Sequence, residues 1–270
     1  MTRIYLDNAA TSWPKPEAVY RAVDDYQRRL GAPAGRGSYS EAAETERIVG
    51  SCRQKIAQLL GASDPSRIIF TLNGTDSLNL ALHGLLRPGD HVVTTVCEHN
   101  SVLRPLRFLA EQRQVSATYV GCDGQGFVSP DDIRRAITPH TRLIALVHVS
   151  NVTGAIQPVE EVGRIAAEHG QTYLIDAAQS LGYVPIDVRR LGCHLLAAPG
   201  HKGLLGPLGT GVLYVAPGVE QQLLPLRQGG TGTRSDEDIQ PTSLPDRYEA
   251  GNLNVPGIAG LAAGVSLAAL

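Results

Sequence analysis

Lys202 is the residue most able to do chemistry in this sequence. It sits in Ala197-Ala198-Pro199-Gly200-His201-Lys202-Gly203, between glycines and just after an apolar run. An amine placed there lies at the carboxyl edge of a sheet, where α/β folds bind ligands. Partial burial would let it shed its proton and act as a nucleophile or base. By itself the position also suits an ordinary surface lysine. Lysine is scarce, however: Lys15 lies between prolines and Lys55 in a polar helical stretch, and there are no others. Neither is near the remaining motifs in the chain.

Asp176 closes the apolar run Tyr173-Leu174-Ile175 and is followed by Ala177-Ala178-Gln179. An ionised acid at the end of a buried strand needs a cationic partner or a capping role. Asn73-Gly74-Thr75-Asp76-Ser77 lies between a strand-like and a helix-like run. Free N–H groups at such a junction suit a phosphate, and glycine permits close approach. His99, in Cys97-Glu98-His99-Asn100-Ser101, has an imidazole able to stack on a flat group and handle protons.

The elements that must position these residues alternate along the chain. Strands are expected at 67–71, 91–95, 115–120, 143–147, 173–176, 195–198 and 211–215, and helices at 76–86, 101–113 and 159–169. The near-continuous apolar run Leu143-Ile144-Ala145-Leu146-Val147 reads as a parallel strand covered on both faces. The rhythm predicts an α/β fold with a mainly parallel sheet sandwiched by helices. Residues 228–254 read as loop, and 257–270 as a helix with no terminal cap, as if cut short.

Taken in order, the segments resemble the class V aminotransferases, and within them the cysteine desulfurases and selenocysteine lyases. Tyr5-Leu6-Asp7-Asn8-Ala9-Ala10-Thr11 is similar to that family's start, and Asn73 to Leu80 to its phosphate turn. Ser150-Asn151-Val152-Thr153-Gly154, Gly200-His201-Lys202 and Tyr248-Glu249-Ala250-Gly251-Asn252 complete the likeness. The resemblance implies the type I fold of pyridoxal-phosphate enzymes. It also implies a Schiff base to Lys202, with Lys202 and His99 as the catalytic groups. Gly74, Thr75, Asp76 and His201 would serve the phosphate, Asp176 the ring nitrogen, and Gln179 the ring hydroxyl. Asn151 would lie near ring and substrate, with His99 stacked on the ring.

The same resemblance implies three parts: an N-terminal arm (1–15), a cofactor-binding large domain (16–256), and the start of a helix leading to a missing small domain (257–270). It implies a homodimer, L-cysteine or L-selenocysteine as substrate, and a sulfur-acceptor protein as a possible partner. Another class V reaction (transamination, epimerisation, lyase chemistry) and an inactive cofactor-binding remnant remain alternatives. Two positions depart from the pattern. Pro199 stands where many relatives have a phosphate-binding serine and offers neither hydroxyl nor N–H. Asn252 stands where relatives often carry a threonine that reaches the partner subunit's phosphate.

Composition sets limits. With 43% hydrophobic and 19% charged residues over 270 positions, the chain suits a globular domain. A formal charge of −2 gives no pull toward nucleic acid or membrane. A cytoplasmic location is the expectation. The four cysteines (Cys52, Cys97, Cys122, Cys193) form no CxxC pair, so neither a metal site nor a disulfide framework is expected. None matches the family's nucleophile. Cys97 is the thiol nearest the site, and alternation along an extended segment would point it the same way as His99.

Overall fold

In a computed structural model, residues 4–35, 37–233 and 236–268 are described. A seven-stranded sheet forms the centre: β1 (Ile68–Thr71), β2 (His91–Thr95), β3 (Ser116–Val120), β4 (Thr141–Val147), β5 (Thr172–Asp176), β6 (Leu195–Pro199) and β7 (Gly211–Val215). Their spatial order is β1-β7-β6-β5-β4-β2-β3. Only β7 opposes its neighbours, pairing antiparallel with β1 and β6. The other pairings are parallel.

The long apolar runs are explained by this position. In β4, Ile144 and Leu146 join the core on one face of the sheet, while Leu143 and Ala145 join the core on the other. A strand covered on both faces has no solvent side on which to place polar residues. β3 lies at the edge and is mostly exposed, which accounts for its weaker pattern.

The helices are α1 (Glu17–Asp25), α2 (Ser40–Leu59), α3 (Gly74–Leu85), α4 (Asn100–Arg113), α5 (Pro130–Ala136), α6 (Val159–Glu168), the short α7 (Val188–Leu191) and α8 (Val255–Ala268). Those read from periodicity agree within two residues at each end, where helix limits are soft. α8 begins slightly before the expected position, and residues 269–270 of the expected span lie outside the described residues. It is apolar all round and packs on α1 and α2. Its Gly264 passes so near the turn after β6 that a β-carbon would collide with the Leu204 carbonyl. A buried bidentate pair, Arg53 in α2 with Glu249 at 2.8 and 2.9 Å, ties that helix to the loop preceding α8. Among the described residues no helix is long and apolar enough to cross a membrane.

Candidate active site

β1, β2, β4, β5 and β6 all end at the same edge of the sheet, and the segments leaving them surround a cavity of about 460 Å³. Gly74 and Thr75 line it from the β1 side, His99 from β2, Asn151 from β4, Asp176 and Gln179 from β5, and His201 and Lys202 from β6. Asp7, Ala9 and Ala10 of the N-terminal arm also line it. Motifs spread over 130 residues of chain thus meet because parallel strands carry each turn to one edge.

Asp176 ends β5 and is buried. Its Oδ1 accepts the Ala178 N–H at 2.9 Å, and among the described residues no donor serves Oδ2. Burial pushes its carboxyl up, against the pull of that N–H and of the nearby His99 and Lys202. Lys202 is half-buried, and burial lowers its ammonium, with Asp176 opposing. Its Nζ has no hydrogen-bond partner among the described residues. An acid and an amine both displaced toward neutrality by desolvation mark a site prepared for a charged ligand.

His99 precedes α4, and its Nδ1 accepts the Ser101 N–H at 3.1 Å and lies 2.9 Å from the Ser101 hydroxyl. That hydroxyl also meets Thr75 Oγ1 at 2.7 Å, linking the β1 and β2 turns. The cap holds the ring at the cavity wall, and Nε2 has no hydrogen-bond partner among the described residues. Gln179 donates from Nε2 to the Ala9 carbonyl at 2.9 Å, so the arm fixes its amide and leaves Oε1 as an acceptor.

Two residues do not sit as the sequence suggested, and Asn252, expected at the partner subunit's phosphate, lies away from this cavity. The Asp76 N–H is held by Asn73 Oδ1 at 2.9 Å, and its carboxylate takes the Leu72 N–H and the Arg227 guanidinium. It is therefore turned from the cavity, leaving the N–H groups of Gly74 and Thr75 at the start of α3. Asn252 lines a separate cavity of about 150 Å³. Cys97 is not among the cavity-lining residues: its sulfur is directed at the Gly126 carbonyl, 3.9 Å away. The chain turns between β2 and α4, so strict alternation with His99 fails.

The sequence reading also missed three groups. Lys15, distant in sequence, folds over the Lys202 turn and donates to the His201 carbonyl and to Ser12 Oγ, both at 2.7 Å. Burial lowers it to about 8. Glu98 is fully buried; its Oε1 accepts from Thr95 Oγ1 and the Val147 N–H, while Oε2 has no partner. Ser101 links two turns as described. No local signal separates such residues from ordinary arm, strand-end or cap residues.

The residues fit pyridoxal phosphate. The orphaned Oδ2 of buried Asp176 suits a protonated ring nitrogen, and the α3 N-terminus suits a phosphate. His201 adds a buried Nδ1 with no partner, and burial with the neighbouring Lys202 and Lys15 holds its imidazole down at about 4. Among the described residues no His/Cys/Asp/Glu group could hold a metal.

The fold and this cavity define a class. The chain belongs to the class-V aminotransferase family, whose model matches residues 4–269. Within it the chain is similar to a probable cysteine desulfurase of Methanothermobacter thermautotrophicus, 41% identical over 97% of this chain and 66% of the relative. The apo structure of a cysteine desulfurase from Thermococcus onnurineus superposes with a TM-score of 0.92 at 36% identity, over 98% of this chain and 67% of that one. A structure described as SspA in complex with cysteine gives a TM-score of 0.86 at 32% identity, over 97% of this chain and 72% of that one. The chain spans about two thirds of the length of the curated relatives it matches.

Proposed function

We propose that this chain is the pyridoxal-phosphate-binding part of a cysteine desulfurase, which converts L-cysteine to L-alanine and passes the sulfur to an enzyme thiol as a persulfide. The observation that carries the reading is the placement of Lys202, Asp176 and His99 on one cavity, reached from neighbouring strand ends. The cysteine desulfurase names of its relatives favour cysteine over other amino acids.

When bound, pyridoxal phosphate supplies an aldehyde that captures amines and an electron-withdrawing ring. Gly74 and Thr75 N–H groups and His201 would hold its phosphate, Asp176 its ring nitrogen, and Gln179 Oε1 its ring hydroxyl. His99 covers one face, and Asn151 lies toward the substrate. Lys202 Nζ would be the amine that holds the aldehyde and the base at the substrate α-carbon; its lowered affinity for a proton suits it to that task. Asp176, kept anionic by a cationic ring, favours withdrawal of negative charge from the reacting carbon.

No cysteine among the described residues lines the cavity. The family resemblance implies that the thiol attacking the substrate sulfur lies outside these residues. A homodimer, with Asn252 directed to the partner's site, belongs to the same proposal.

Borohydride reduction after incubation with pyridoxal phosphate, followed by peptide mapping, tests the anchor. A pyridoxyl group on the Lys202 peptide is expected. Label on Lys15, or none, overturns it. For the substrate, full-length protein loaded with cofactor should form alanine from L-cysteine; no alanine would leave the cofactor site standing and remove the desulfurase assignment.

A further inference from the structure

We propose that Cys97 and Cys122 are a redox pair that closes into a reversible disulfide at the edge of the sheet. Thr95 of β2 stands opposite Val120 of the edge strand β3. The Val96 N–H donates to the Val120 carbonyl at 3.0 Å, closing that last pair of the two strands. Cys97 and Cys122 each lie two residues beyond the Thr95–Val120 pair, at neighbouring strand ends. Neighbouring strands run about 4.8 Å apart, and a disulfide needs Cα atoms about 4.4–6.8 Å apart. Burial, and after it the neighbouring Cys122 side chain, push the Cys97 thiol up to about 11.

Exposure divides the work between them. Cys122 is exposed and Cys97 partly so, whereas Cys52 and Cys193 are buried, with thiols pushed up to about 12. Reaction with a small-molecule disulfide such as glutathione disulfide starts at Cys122. Its thiolate forms one S–S bond to the oxidant and expels one glutathione thiolate. The Cys97 sulfur, already adjacent, then attacks the Cys122 sulfur and expels the second. Two S–H bonds are lost, two electrons pass to the oxidant, and the oxidant leaves as two thiols. A small dithiol reverses the sequence.

The bridge would pin the segment that leads directly into Glu98 and His99. Its formation is independent of the cofactor reading; any effect on the cofactor rests on that reading.

The test is thiol chemistry on the folded chain. After equilibration with glutathione disulfide, thiols counted in denaturant should fall from the four of the sequence to half that number. Non-reducing peptide maps should show one linked species containing Cys97 and Cys122. Cys97→Ser should instead hold a stable glutathione adduct on Cys122, and Cys122→Ser should form no bridge. Thermal unfolding of both variants checks that they fold. A lasting glutathione adduct on wild-type Cys122, a full count of free thiols, or a bridge involving Cys52 or Cys193 would each overturn the proposal.

Discussion

Asp176 is the last residue of β5, and Lys202 lies in the turn beyond its neighbour β6, so an acid and an amine share one cavity wall at adjacent strand ends. Burial displaces both toward their neutral forms, and each partly restores the other's charge. A cationic ring nitrogen beside Asp176 would restore its anion.

Replacing Lys202 with alanine should abolish labelling by pyridoxal phosphate and borohydride, because among the described residues no other amine lines the cavity. The unfolding temperature without cofactor should change little, since Lys202 Nζ makes no hydrogen bond among the described residues. Mass spectrometry of the reduced protein and a thermal melt check the two halves.

Asp176→Asn should weaken pyridoxal phosphate binding. Losing a hydrogen bond to a charged group costs about 1.5–3 kcal/mol, roughly ten- to a hundredfold in Kd. Fluorescence titration of the two proteins measures it, and equal affinities would remove Asp176 from the ring-binding role.

Glu98 supplies a pH prediction. Burial raises its carboxyl from 4.5 to about 8, against the pull of Val147 N–H and Thr95. The folded state therefore favours the protonated acid. That stabilisation is complete below pH 4.5 and is lost as pH rises through about 8. Glu98→Gln lacks this loss, so its melting temperature relative to wild type should climb across that window and level off above it. Paired melts at several pH values should show a changing difference; a constant one would refute the assignment.

Glu249→Ala should destabilise the fold by about 3–5 kcal/mol, because it strands the Arg53 guanidinium in the interior. Glu249 Oε1 also accepts the Phe70 N–H, and Arg53 stacks 4.5 Å from the Phe70 ring centroid. The substitution thus removes a partner from β1 as well as from α2. Urea unfolding of the two proteins gives the difference.

Much of this was legible in the order of residues. The alternation of apolar runs with helical periods specified the strands and most helices, because both patterns are written within short windows. The scarcity of lysine and the order of Asn73, His99, Asn151, Asp176 and Lys202 pointed to the chemistry proposed here. Tertiary structure alone decided which side chains face the cavity. Asp76 is turned to Arg227, Cys97 to the Gly126 carbonyl, and Lys15 lies over the His201 carbonyl. Such directions follow from packing between segments far apart in the chain, and from which N–H groups are already taken when those segments meet. No local pattern of residue types records either.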